Sequence, residues 1–312
     1  MDSLKFQQLI AGLGELNEDQ RQTVAGIVSG HGDLAEVTSV IEARFATQVQ
    51  CPHCQSTDVG SWGRSCGLKR YRCRQCRKSF NALTGTPLAR LRNRAAWKTY
   101  AQAVAGSVSV RKAAQRTGVS VPTAFRWRHR FLTLAKDAQA KVSGIVEADE
   151  TFFLRSFKGS RKLGRAPRKR GGQASKPGAS DEQVPVLVLR DRSGATADDV
   201  LESLKVAEIY RVLTPVVAKD TVLVSDGAPA YASFAFEAGI GHVGLRGRRG
   251  ERRRGVFHIQ NVNAYHSRLK TWMRRFNGVA TKYLPNYLGW RRMFEREGDN
   301  ITAQRCLLAA LA

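Results

Sequence analysis

Two Cys-x-x-Cys pairs, Cys51 with Cys54 and Cys73 with Cys76, constrain this chain more than any other feature. Eighteen residues separate the pairs, and the window also holds Cys66 and His53. Each pair sets two thiolates on a tight turn, and two such knuckles complete a tetrahedral zinc shell. A segment of ~25 residues cannot hold itself together by burial, so the metal would supply its folding energy. Cys51, Cys54, Cys73 and Cys76 are therefore the expected ligands of a structural Zn²⁺, with His53 and Cys66 outside the shell. Five of the six cysteines fall in this window, behind no secretory signal, which argues against a disulfide scaffold. A redox reading needs a βαβ unit around the pairs, and none is visible. Cys306 is expected as a small core residue of the last helix.

Charge narrows the partner. The 312 residues carry 51 Lys and Arg against 26 Asp and Glu, a formal net charge of +25. Such an excess favours a polyanion. No apolar stretch approaches ~18 residues, so no membrane span is expected, and nucleic acid becomes the leading partner. The charge is also localised. Residues 69–78 carry +6, 111–130 carry +6, 155–176 carry +9 and 246–254 carry +5, while everything else nets −1.

The segment 1–48 is acidic and reads as a helical arm, with Leu9, Leu13 and Leu16, then Val37, Ile41 and Phe45, at helical spacing. Gly30-His31-Gly32 is read as the break between its two helices. Residues 49–82 form the zinc ribbon, whose Arg72 and Arg74, with Tyr71 and Phe80 alongside, suit DNA contact. Residues 90–138 read as helices. Trp97, Tyr100 and Val104 make one stripe; Ser109 caps a helix, Gly118 turns the chain, and Pro122 opens the next. A short helix, a glycine turn and a second helix form the helix-turn-helix pattern. Its second helix offers Thr123, Arg126, Arg128, His129 and Arg130, types suited to phosphates and base edges. The alternative is a three-helix bundle with a solvated basic face.

From 142 to 312 the pattern becomes α/β. Strands are expected at 145–153, 184–189 and 221–225, and helices at 197–213, 229–238 and 260–276. The basic insertion 155–176 has almost no apolar residue after Phe157 and is expected to lack structure without a partner. Asp149 sits inside the first strand and Asp226 ends the third, before Gly227. If those strands are neighbours, the carboxylates converge, and a divalent cation relieves their repulsion. Glu147 shares a strand face with Asp149, and Glu150 points the other way. On the 260–276 helix, Asn263, His266, Ser267 and Lys270 share a face. Trp272, Tyr283, Tyr287 and Trp290 read as core, with DNA stacking as the alternative.

Ribbon, helix-turn-helix, and the blocks "VEADETFF", "VLVSDGAPAY" and "HIQNVNAYHSRLKTWMRRFNG" together resemble the zinc-ribbon insertion-sequence transposases, the ISXO2-like group of the DDE superfamily. The resemblance covers about residues 50–295. It implies a ribonuclease-H-like catalytic domain and Mg²⁺- or Mn²⁺-dependent cleavage at element ends followed by strand transfer. By motif, Asp149 and Asp226 take the first and second acidic positions. Asn263 takes the third, 37 positions after Asp226, and Lys270 follows seven residues later. This matches the Asp-Asp-Asn-Lys variant. Asn offers an oxygen to the metal but no negative charge and no general base.

The implied partners are double-stranded DNA, both terminal inverted repeats and target, and a second copy of the chain, because two ends must be joined. A bacterial, cytoplasmic, nucleoid-associated protein is expected. Two other readings remain: a non-catalytic DNA-binding regulator derived from a transposase, and a metal-dependent nuclease that does not join.

Overall fold

The computed structural model describes all residues except 1, 47–48, 165, 167–171, 177, 246–249 and 312. Two compact units emerge, one of residues 1–131 with 302–312 and one of residues 132–301.

The first unit begins with helices α1 (Ser3–Leu13) and α2 (Glu18–Ala46). The break between them lies at 14–17 and not at Gly30-His31-Gly32, through which α2 runs unbroken. The local chemistry explains the difference. Asn17 Oδ1 accepts the Gln20 N–H at 2.9 Å, and Gln20 Oε1 accepts the Asn17 N–H at 3.0 Å, a reciprocal helix start. An interior glycine costs a helix only ~1 kcal/mol relative to alanine. Packing of the C-terminal half of α2 through buried Val37, Val40 and Ile41 opposes that cost. Lys98 also pairs with Asp33 at 3.0 Å and Glu36 at 2.5 Å.

Strands β1 (Val59–Ser65), β2 (Leu68–Cys73) and β3 (Ser79–Asn81) form an antiparallel sheet in the order β1-β2-β3. Helices α3 (Trp97–Ala105), α4 (Val110–Thr117) and α5 (Val121–Phe131) follow. Ser109 Oγ accepts the Lys112 N–H, Gly118 turns the chain at φ +66°, and Ser120 Oγ accepts the Thr123 N–H. Ring edges fill the centre: Tyr100 meets Trp127 at 5.2 Å and Trp97 meets Phe131 at 6.3 Å between centroids. The C-terminal helix, Ala303–Leu311, packs on α3 in this unit, burying Cys306, Leu307, Ala310 and Leu311. The expected α/β domain of 142–312 therefore gives up its last helix.

The second unit opens with α6 (Thr133–Asp137), then β4 (Ile145–Leu154), β5 (Gln183–Asp191) and β6 (Thr196–Val200) as an antiparallel meander. Helix α7 (Val206–Leu213) leads to β7 (Val222–Ser225), and α8 (Pro229–Ala238) to β8 (Gly241–Gly244). Both β7 and β8 run parallel to β4, giving one sheet in the order β6-β5-β4-β7-β8. The helix expected over 197–213 is thus a strand and a shorter helix. Pairing with β5 sets Ala197 opposite Leu189 and Asp198 opposite Val188, and this tertiary pairing overrides a local pattern that looked helical. A short hairpin, β9 (Arg253–Arg254) and β10 (Phe257–His258), precedes α9 (Gln260–Arg274) and α10 (Leu284–Glu297).

One face of the sheet buries Val146, Ala148, Leu187 and Leu189 against Ile209, Leu213, Tyr231 and Phe234 of α7 and α8. The other carries α9 and α10, where Trp272 and Trp290 meet edge to face at 5.1 Å and Tyr287 is buried, so these aromatics are core. Parts of both basic runs, 165 and 167–171 of the first and 246–249 of the second, lie outside the described residues.

Candidate active site and metal centre

The two knuckles meet as their spacing predicts. Cys51 and Cys76 Sγ lie 3.6 Å apart, as do Cys54 and Cys73 Sγ, and all four sulfurs fall within 4.8 Å of one another. Zn–S bonds of about 2.3 Å in a tetrahedron set sulfurs ~3.8 Å apart, so this donor set fits Zn²⁺. Residues just after the second cysteine of each knuckle, Gln55 at φ 62° and Arg77 at φ 60°, adopt left-handed backbone to close the turns. Phe45, Tyr71 and Phe80 stack beneath, with centroids 5.6–5.9 Å apart. Among the described residues no other group of three His, Cys, Asp or Glu side chains is placed to hold a metal, and His53 and Cys66 stand outside this one.

The carboxylates also converge. Strands β4 and β7 pair in parallel with Glu147 opposite Val224, a register that sets Asp149 beside Asp226 two residues on. Asp226 leaves β7 in a turn where its Oδ1 accepts the Ala228 N–H at 3.0 Å. Gly227 has φ +83°, and a Cβ on neighbouring Gly244 would fall 2.9 Å from its Cα. No side chain fits at that crossing. Burial, with Glu150 and Asp226 nearby, pushes the Asp149 carboxyl up to about 7, against the pull of Lys270. Burial likewise raises Glu150, whose Oε1 accepts the Tyr231 hydroxyl. Glu150 leaves the opposite strand face from Asp149, as expected, yet it still lies within the field of both aspartates.

Helix α9 lies across β4 and carries the other candidates. His266 Nδ1 sits 3.8 Å from Asp149 Oδ2. Burial, with the Lys270 charge second, lowers the imidazole to about 4, so it is neutral at pH 7 and the contact is no ion pair. Asn263 and Lys270 are exposed, one turn before and one turn after His266. Sequence reading did not foresee the job of Glu147. Its carboxylate is fully buried, accepts the N–H groups of Asn261 at 2.7 Å and Val262 at 3.0 Å, and pairs with Arg192 at 2.7 Å. It anchors the N-terminus of α9, where a negative charge is favoured. His258 belongs to the same group, 3.3 Å from Glu147. No local signal marks Arg192, because the link spans 45 residues of chain.

Of the basic candidates on α5, Arg126 and Arg130 are exposed and Thr123 is half-buried, bonded to Ser120 at 2.9 Å. Arg128 is different. It is fully buried and donates to the Val108 carbonyl at 2.6 Å. It braces the helices and is withdrawn from the DNA-contacting set, because its position on α5 turns it inward beside Trp127. On the ribbon, Arg72 and Arg74 are exposed, and Arg74 pairs with Asp58 at 3.3 Å.

Residues 141–291 match the ISXO2-like transposase domain, and residues 46–77 match the InsA N-terminal domain, a zinc ribbon. A Halobacterium salinarum protein, described as an uncharacterized protein in transposable element ISH50, is 25% identical over 272 residues, covering 82% of this chain and 90% of its own. Among solved structures, a pre-cleavage Mos1 transpososome is 13% identical with a TM-score of 0.22, covering 60% of this chain and 74% of its own. The Mos1 transposase paired-end complex with left transposon end is 12% identical with a TM-score of 0.24, covering 68% and 78%. The two domain matches carry the assignment: the chain joins an InsA-type zinc ribbon to an ISXO2-like transposase domain of the DDE type.

Proposed function

We propose that the chain binds the terminal inverted repeats of its element, cleaves a phosphodiester bond there and transfers the freed strand to target DNA. The observation that carries this reading is the pair Asp149 and Asp226 on adjoining parallel strands, with α9 laid over them. The donor set is two carboxylates and the Asn263 amide oxygen, all hard oxygens, which suits Mg²⁺ or Mn²⁺ and leaves positions for substrate oxygens. A bound cation there supplies Lewis-acid activation of the nucleophile and charge stabilisation at phosphorus. Asp149 and Asp226 would hold it, and Asn263 would offer a further oxygen without adding charge. Lys270 contacts the phosphate beside the scissile bond. Neutral His266 shields Asp149 from solvent. The sheet order, with two strands parallel to β4 and a meander beside it, supports reading the domain as ribonuclease-H-like.

Recognition falls to the first unit. Helices α4 and α5 serve as the helix-turn-helix, with Thr123, Arg126 and Arg130 in the major groove and Arg72 and Arg74 of the ribbon on phosphates. Two copies act together, because two ends are joined, and the reaction takes place on cytoplasmic DNA. Among the described residues no helix is long and apolar enough to cross a membrane.

The test is incubation of purified protein with duplexes carrying the element's terminal repeats and a target plasmid. Mg²⁺-dependent nicking and joined product, both lost in Asp149→Ala, are expected. Nicking without joining would make the chain a nuclease. Tight binding with no nicking would make it a regulator.

A further inference from the structure

The chain has five tryptophans, all among the described residues. Four are buried: Trp97 and Trp290 are 0% exposed, Trp127 3% and Trp272 4%. Trp62 is 49% exposed. An indole left half in water forfeits a large share of its burial energy, so its place on the ribbon needs a reason.

The backbone shows how it is presented. Strands β1 and β2 pair Ser61 with Tyr71 and Arg64 with Lys69, so Trp62 and Gly63 together oppose Arg70 alone. This is a β-bulge, closed by Gly63 at φ +75°, and a bulge re-aims the side chain it carries. Arg72 from the next strand lies over the indole, its guanidinium carbon 4.7 Å from the ring centroid. One face of the ring thus lies against a cation, and about half of the residue is open to solvent. Around it the hairpin exposes Arg64, Lys69, Arg72 and Arg74; among the described residues only the Arg74 side chain forms an ion pair, while Glu42 accepts the Lys69 backbone N–H at 2.7 Å. The aromatic contacts that order the ribbon core use Phe45, Tyr71 and Phe80, not Trp62.

We propose that Trp62 and Arg72 form a DNA-stacking platform, on which a base freed from its duplex neighbours stacks against the indole while the surrounding cations take its phosphates. The charge decides the class of partner: an exposed aromatic within a cluster of cations matches a polyanion with π-faces, not an apolar protein surface. An unpaired base fits better than a paired one, because stacking on an isolated ring needs an open base face. The indole therefore grips a base of a single-stranded or opened segment, while the ribbon's cations hold phosphates of either form and base-edge reading of the duplex is left to other elements. This platform is independent of the cleavage chemistry, so the test uses binding alone, without Mg²⁺.

The experiment titrates the full-length, zinc-loaded protein with a 20-nucleotide oligo(dT) and with a blunt duplex of equal length, reading intrinsic fluorescence and anisotropy of a labelled probe. With oligo(dT), the red-shifted emission of Trp62 should be quenched, and Trp62→Ala should remove that quenching. Trp62→Ala should also weaken oligo(dT) binding roughly tenfold, from the loss of one base–aromatic stack, with the salt dependence unchanged. Trp62→Phe should recover part of the loss. Arg72→Ala should instead weaken both probes and reduce the salt slope by about one. Zinc content equal to wild type establishes that the ribbon is folded. Unquenched Trp62 emission, or equal oligo(dT) affinity for wild type and Trp62→Ala, would overturn the proposal in favour of a protein partner. An equal loss on both probes would overturn the preference for an unpaired base.

Discussion

The two candidate metal sites are assembled by opposite means. Around Cys51, Cys54, Cys73 and Cys76 the chain supplies four soft ligands and little else; the buried cluster there is small, Cys51, Cys73 and Phe80, with a few half-buried neighbours. Around Asp149 and Asp226 the chain supplies few ligands and a large scaffold. Glu147 and Arg192 fix the start of α9, Tyr231 holds Glu150, and Tyr265 and Arg292 hold buried Asp198 in β6, two strands from β4. A structural metal makes its fold, whereas a site for catalysis must be held by the protein while leaving room for substrate.

The largest expected effect breaks the first site. Cys73→Ser, or chelation of zinc, should unfold the ribbon, because zinc contributes on the order of 10 kcal/mol to such modules. Metal analysis and limited proteolysis should show cleavage within 51–81 while the second unit stays resistant. An intact ribbon without zinc would erase the contrast.

Next in size is Arg292→Ala in the second unit. Arg292 donates to the Asp198 carboxylate and to the Lys136 carbonyl, and its loss strands a buried charge. Urea unfolding should report a loss of about 3–5 kcal/mol. A change under about 1 kcal/mol would mean that the scaffold around β6 does not depend on this pair.

Asp149→Asn sharpens the comparison in the other direction. The folded carboxyl titrates near 7, above its ordinary 3.8, so the native state holds an extra proton between those values. Stability without added divalent cation should fall as pH rises from about 4 to about 7 and then level off, by roughly 2–4 kcal/mol at most. The Asn variant should lack that fall and be more stable than wild type at pH 7. A wild-type profile parallel to that of the variant would show that the site stores no such electrostatic cost.

The smallest effect is Tyr231→Phe, which removes the hydroxyl donor to Glu150. A loss of about 1–2 kcal/mol in the second unit is expected by urea titration.

What was legible in the sequence follows the same divide. The knuckles were readable because their ligands are close in the chain and their chemistry is specific. The convergence of Asp149 and Asp226 was readable as an alternative that required neighbouring strands, which β4 and β7 are. Features set by distant contacts were not readable. Arg128 has the same side chain as Arg126 and Arg130, and only its direction on α5 makes it a brace. Asp198 lies in a stretch that looked helical until its pairing with β5 is seen. The last helix carried an apolar stripe, but nothing local said that α3 would receive it.

Binding of a divalent cation by Asp149 and Asp226 is the step on which the proposed function depends. It is tested most directly by Mn²⁺ titration of the zinc-loaded protein on a terminal-repeat duplex, read by electron paramagnetic resonance against the duplex alone. Wild type should bind Mn²⁺ beyond what the duplex takes up, and both Asp149→Ala and Asp226→Ala should abolish that excess while still binding DNA. Equal Mn²⁺ uptake by wild type and both variants would contradict the account.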